Sequence, residues 1–154
     1  MWTNTRESKE LTREITKDII NDIAPEELRF VDDLIDDYYS DPIIHKSNDN
    51  PLGFGSDLLV ASTPIIIMTL NTVFNFILNE VWVSTQKESA VLIASKMKAL
   101  FNPTKKTGAD LQLTSKHLSI VKQLIKREAI RGGMKSQKAE DLALKIVGRI
   151  SLDN

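Results

Sequence analysis

The sequence predicts an all-α fold, a helical bundle of about five helices around one long central helix. Two observations support this prediction. Apolar side chains recur every three or four residues along most of the chain, and no stretch of useful length alternates as a β-strand would. Helix-start and helix-stop residues divide the periodic stretches, so each one is predicted to form its own helix.

The composition indicates one folded domain. The 154 residues are 42% hydrophobic and 27% charged, as in globular proteins. The lack of cysteine rules out disulfides, thiolate zinc sites and cysteine nucleophiles, and it is consistent with a reducing compartment. The first residues have neither the basic start nor the apolar core of a signal peptide. We therefore expect a cytoplasmic protein that can associate with membrane on activation.

Residues 1–40 predict an acidic helical hairpin. The first helix covers 5–23, with an apolar face formed by Leu11, Ile15, Ile19, Ile20 and Ile23. Pro25 is expected to begin the second helix, which runs to about Tyr39, because proline loses no hydrogen bond at the first helical position. Its inward face is predicted to be Leu28, Val31, Leu34, Ile35 and Tyr38. Residues 41–57 are rich in Pro, Gly, Asn and Asp and are predicted to form the main loop.

Residues 58–101 are predicted to form the long apolar helix. Thr63 is expected to be its N-cap and Pro64 its first residue. Neither Gly nor Pro interrupts the stretch that follows, so an unbroken helix from Pro64 would be roughly 57 Å long at about 1.5 Å per residue. A break near 83–85 is the alternative.

A polar stripe marks this helix. Residues 58–83 are long enough to span a bilayer, but Asn71, Asn75 and Asn79 recur every four residues and share one face. Such asparagines are best satisfied against other helices, so the pattern favours a helix buried in a bundle or oligomer. Insertion into a membrane remains the alternative.

Residues 109–152 predict a basic helical pair. Thr114 caps its first helix, the Gly132-Gly133 pair ends that helix, and Ser136 caps the second. The inward face of the second helix is predicted to contain Ala139, Leu142, Ala143, Ile146, Val147 and Ile150. The cations that mark an interaction surface are Lys122, Lys126, Arg127 and Arg131. A helix-turn-helix that binds DNA is a further alternative, although the second helix has few side chains that read base edges.

Charge is divided between the two ends of the chain. Residues 1–50 hold 13 acidic and 6 basic side chains, a net of −7, whereas residues 91–154 hold 5 acidic and 13 basic, a net of +8. This polarity suits internal docking, head-to-tail self-association, or contact of the basic end with anionic lipid or nucleic acid. Charged faces that are merely solvated are the other interpretation.

No group of residues predicts catalysis or metal binding. The carboxylates on the second helix are Asp32, Asp33, Asp36 and Asp37, and their DDLID pattern is that by which isoprenoid synthases hold magnesium. The second metal-binding motif of those enzymes is missing from the sequence, so we interpret these aspartates as a solvated or partner-facing surface. His45, His117, Gly53 and Gly55 belong to no catalytic or phosphate-binding motif and are expected to be structural. We therefore expect no enzyme activity, cofactor, metal or small-molecule substrate.

A series of short motifs resembles a known group of proteins. APEEL, LGFG, a TP pair before an apolar helix, and the pattern LT…GG…A..LA..IVG.I occur in this order. This order is similar to that of small accessory proteins of bacterial conflict or antiviral systems with NTPase or caspase-like partners. The resemblance implies an adaptor or a membrane-acting effector. Together with the charge pattern, it predicts a non-enzymatic module that binds itself or a protein partner, with membrane lipid as an alternative partner and nucleic acid the least favoured.

Overall fold

The described part of the chain is entirely helical where it has regular structure. The computed structural model describes residues 1–40, 61–102 and 113–151. These residues contain no strand, and their α-helices are α1 (Arg6–Ile23), α2 (Val31–Ser40), α3 (Ser62–Phe76), α4 (Ala90–Phe101), α5 (Ser115–Arg131) and α6 (Ser136–Ile150). The all-α prediction is confirmed. The predicted loop at 41–57, with His45, Gly53 and Gly55, lies outside the described residues.

Helix α1 begins where the sequence predicts. Thr5 is its N-cap, and the Thr5 hydroxyl accepts a hydrogen bond from the Ser8 amide at 3.2 Å. A short 3₁₀ turn, Trp2–Asn4, precedes it. The Trp2 indole donates to the Ala90 carbonyl at 3.1 Å, and its ring meets Phe74 edge-on with 5.4 Å between centroids. The N-terminus is therefore attached to both α3 and α4.

Helix α2 begins later than predicted. Pro25 starts only a 3₁₀ turn, Pro25–Glu27, and the α-helix starts at Val31. The prediction of one helix from Pro25 is wrong. Leu28, expected to face inward, is 38% exposed because it lies in the turn between the two helical pieces. Val31, Leu34 and Ile35 are buried as predicted.

Helix α3 is the centre of the bundle. Helices α1, α2 and α5 all pack against it. The fully buried apolar residues of α3 and of the turn that continues it are Ile66, Ile67, Leu70, Val73, Phe74 and Ile77. Burial from several sides explains why this segment is so apolar, since only a helix covered by neighbours can hide an apolar surface of this width.

The long helix to Phe101 does not form, and the alternative break is the one observed. One turn of π-helix, Ile77–Val81, continues α3, and the Trp82 amide closes it by donating to the Ile77 carbonyl at 2.7 Å. A 3₁₀ turn, Val83–Lys87, follows, and the Ser89 hydroxyl caps α4 by accepting from the Leu92 amide. The chain turns here because Trp82 is buried and Ser89 starts a new helix.

A distant carboxylate caps the N-terminus of α3. The prediction that Thr63 is the N-cap is wrong, since α3 begins at Ser62 after Ala61, which has no capping side chain. The Glu27 carboxylate, only 6% exposed, accepts hydrogen bonds from the Ser62 amide at 2.8 Å and the Thr63 amide at 3.0 Å. It also accepts from the Thr63 hydroxyl at 2.8 Å. An anion at the positive end of the helix is favourable.

Helices α5 and α6 form the predicted pair. The Thr114 hydroxyl accepts from the His117 amide at 3.1 Å, and the Thr114 amide donates to His117 Nδ1 at 3.2 Å, which completes a capping box. Gly133, with φ of 109°, ends α5 in the left-handed conformation that favours glycine. The N-cap of α6 is Lys135 without a side-chain hydrogen bond, so the prediction of a Ser136 cap is wrong. The predicted apolar face of α6 is buried, except that Val147 is half-buried.

We expect the change Glu27→Ala to destabilise the fold by about 1–3 kcal/mol, because it leaves buried donors at the start of α3 without an acceptor. Urea unfolding followed by circular dichroism measures the effect. The matched control is Glu26→Ala, which removes a neighbouring exposed carboxylate and should change the free energy of unfolding by less than about 0.5 kcal/mol. Equal effects of the two changes would contradict the capping role.

Candidate interaction surfaces

The four aspartates of α2 divide into two rows. Arg13 of α1 donates to Asp32 Oδ1 at 2.9 Å and also to Asp36, and Lys17 lies 3.2 Å from Asp32. The hydrogen bond from Arg13 lowers the pKa of Asp32. Asp33 and Asp37 are exposed and have no ion pair among the described residues. This second row is therefore the one left without an internal ion pair.

The cations of the basic pair divide in the same way. Lys122 and Lys126 of α5 lie 3.7 Å and 3.0 Å from the Glu140 carboxylate of α6. Arg131 is 3.5 Å from Glu128 on its own helix. Arg127 is exposed and has no ion pair within the described part of the chain. Two of the four predicted cations therefore join α5 to α6, and one remains unpaired.

Other ion pairs join the acidic and basic ends of the chain. Asp18 of α1 lies 3.2 Å from Arg149 of α6, and Asp22 lies 2.8 Å from Lys145 of the same helix. The charge polarity is thus used partly for internal docking. Exposed pairs of this kind contribute less than about 1 kcal/mol each, so they orient the helices more than they stabilise them.

The outer side of α5 combines cations with exposed isoleucines. We define the α5 outer face as Lys116, Ile120, Gln123, Arg127 and Ile130, all of which are exposed. They are spaced by three or four residues and so share one side of the helix. Ile120 is 37% exposed and Ile130 is 48% exposed. This face has no acidic member. Of these residues, only Arg127 belongs to the interaction surface predicted from the sequence, because that prediction used charge alone and did not assign the isoleucines to a side of the helix.

The asparagine stripe lies along the least covered side of α3. Asn71 is near the hydroxyls of Tyr38 and Tyr39, and Asn75 is half-buried. The side-chain oxygen of Asn79 accepts a hydrogen bond from the side-chain amide of Gln86 at 3.2 Å. Neighbouring helices and turns therefore contact the two ends of the stripe within one chain. None of the large apolar side chains that are exposed in the described residues belongs to α3. An apolar excess on this helix is thus no reason for self-association.

A row of buried hydroxyls on α1 was missed. Ser8, Thr12 and Thr16 are fully buried at intervals of four residues, and the hydroxyls of Ser8 and Thr16 have no hydrogen-bond partner among the described residues. Burial raises the pKa of Tyr39, and an interaction with Thr12 opposes the rise. The helical spacing was the available signal, but the predicted buried face of this helix contained only leucine and isoleucine.

The side chains of the described residues form no metal-binding cluster. No group of three or more His, Asp or Glu side chains among them could hold a metal ion. An open cleft of about 430 Å³ lies beside α1 and the end of α2. Its charged groups have partners within the cleft: Arg6 lies 3.7 Å from Glu10, and Lys9 lies over the Tyr39 ring at 5.1 Å from the centroid.

The ion pair between Asp32 and Arg13 predicts that the stability of the fold depends on pH. The lowered pKa of Asp32 means that its contribution to stability is present above the unfolded pKa and is lost as the pH falls through the folded value. We expect Asp32→Asn to reduce stability by less than about 1 kcal/mol at neutral pH, since the pair is exposed. The difference from wild type should shrink below about pH 4.

Urea unfolding at several pH values tests this expectation. Asp33→Asn is the matched control, because it removes a carboxylate from the same helix turn without breaking an ion pair. It should show no comparable pH-dependent loss. A deficit of the Asp32→Asn variant that grows on acidification would contradict the assignment.

Comparison of the chain with protein-family models, curated proteins and solved structures finds no match.

Proposed function

We propose that this protein is a non-enzymatic helical interaction module that assembles with further copies of itself. One observation carries the proposal. After the internal ion pairs have formed, α2 keeps Asp33 and Asp37 while α5 keeps unpaired cations and exposed isoleucines. Opposite charges that remain unused on the same molecule favour association between molecules.

The positions of α2 and α5 support this proposal. Both helices pack against α3, but they share at most marginal contact with each other. No ion pair joins the outer carboxylates of α2 to the outer cations of α5 within the described residues. Contact between two copies would bring these charges together. The resemblance to accessory proteins of bacterial defence systems suggests the setting in which such a module would act, with an NTPase or caspase-like protein as a further partner.

Self-association should be visible as a solution mass above that of one chain. We expect this mass at tens of micromolar protein and about 50 mM salt. It should fall towards the monomer as salt is raised to about 500 mM, because screening shortens the range of the attraction. Light scattering after size-exclusion chromatography measures the mass without detergent. A monomer under all low-salt conditions would overturn the proposal.

Insertion of α3 into a membrane is the second candidate function. Among the described residues, the helix at Ser62–Val81 is long and apolar enough to cross a bilayer by length and composition. Half of this apolar stretch is buried inside the protein, and the core helix of a bundle can have the same length and composition. Insertion would also require α3 to leave Glu27 and its covering helices, which makes this candidate the weaker one.

The change Asn75→Ala separates the two candidates. If α3 inserts, loss of a polar group from the stripe lowers the cost of transfer to lipid and should raise the fraction that floats with liposomes. If α3 stays in the bundle, neither wild type nor variant should float. The control is Asn21→Ala, which removes an exposed amide from α1. Flotation raised by Asn75→Ala and not by the control would favour insertion over the interaction module.

A further inference from the structure

We propose that the assembly is head-to-tail, with the α5 outer face of one copy docked on the outer side of α2 of the next. This inference rests on the proposed self-association and specifies its interface. The occupant is a second copy of this chain, because the outer side of its α2 supplies carboxylates that complement the cations of the α5 outer face. The two surfaces carry charges of opposite sign.

The α5 outer face requires an acidic partner with some apolar surface. Lys116 and Arg127 are exposed and have no ion pair in the described residues. Ile120 lies between these two cations and Ile130 follows Arg127, and each isoleucine exposes about two-fifths of its surface. The isoleucines give this face apolar surface that a contact would remove from water. Cations beside them select a partner with carboxylates.

The outer side of α2 has these properties. Asp33 and Asp37 lie one helical turn apart on this side. The chain just before α2 also exposes Glu26 and 38% of Leu28. The nearby cation is Arg29, whose guanidinium lies over the Phe30 ring at 5.0 Å from the centroid. Three carboxylates against one cation leave this surface acidic.

Charge also decides the symmetry of the contact. A two-fold contact through α5 would place Arg127 and Lys116 against their own copies, which like-charge repulsion disfavours. The same holds for the aspartates of α2. A contact between unlike surfaces closes if two copies exchange both contacts about a two-fold axis or if the rotation between copies closes a larger ring, and otherwise growth continues. The inferred assembly is therefore a reciprocal dimer, a larger ring or an open chain.

Charge exchange between the two surfaces tests this inference. One variant combines Asp33→Lys with Asp37→Lys, and the other combines Lys116→Glu with Arg127→Glu. Each variant alone should have the mass of one chain by light scattering, because its two surfaces now have the same sign. An equimolar mixture should recover a mass at least twofold higher. The thermal midpoint of each variant, followed by circular dichroism, confirms that it is folded.

A control excludes an effect of net charge alone on assembly. Glu7→Lys with Glu80→Lys changes the net charge as much as the α2 variant does, but at sites on α1 and after α3. This control should assemble alone as wild type does. A monomeric control would assign the loss of assembly in the α2 variant to net charge and would overturn the interface.

The outcomes separate this inference from the proposed function. If wild type assembles and the α2 and α5 variants assemble equally well, the interface assignment is overturned while self-association stands. A monomeric wild type overturns both. If wild type floats with phosphatidylserine vesicles and the α5 variant does not, while its mass is unchanged, the α5 outer face meets a membrane and the inference is overturned.

Discussion

The buried carboxylate of Glu27 at the N-terminus of α3 is the interaction on which the rest of the structure depends. A carboxylate removed from water is costly unless donors surround it, and here the start of a helix supplies two amides and a hydroxyl. The contact joins the turn after α1 to the central helix. It fixes where α3 begins, and the start of a helix determines which side each later residue faces. The packing of α1 and α2 against α3 follows from that register.

The central position of α3 determines the character of the other helices. Because α3 is buried from several sides, its neighbours each use an apolar stripe to cover it and turn charged residues outward. The side of α3 that remains partly open is the one with the asparagines, where Asn71 meets the tyrosines of α2. The polar stripe thus marks the edge of the core. The same amphipathic design creates the charged outer surfaces on which the proposed function rests.

Features set by local chemistry could be predicted from the sequence, and features set by distant contacts could not. The Thr114 cap and the glycine stop after α5 were predicted because each depends on residues a few positions away. The cap of α3 comes from a glutamate 35 residues earlier, which no local pattern reveals. The four aspartates were recognised as a surface, but their division depends on the position of Arg13 on another helix. The exposed isoleucines of α5 are known only once the buried side of that helix is known.

One geometric rule explains which charged residues remain for a partner. Successive residues of an α-helix are turned by about 100°, so charged residues next to each other in sequence cannot share a side. On α2, Asp32 and Asp36 face α1 while the next residues face away, and on α5 Lys126 reaches Glu140 while Arg127 points outward. Both α2 and α5 thus carry a flanking charged row that docks the helix to a neighbour and an outer row that does not. A run of like charges therefore contains both structural and interacting members, and only the packing of the neighbouring helix distinguishes them.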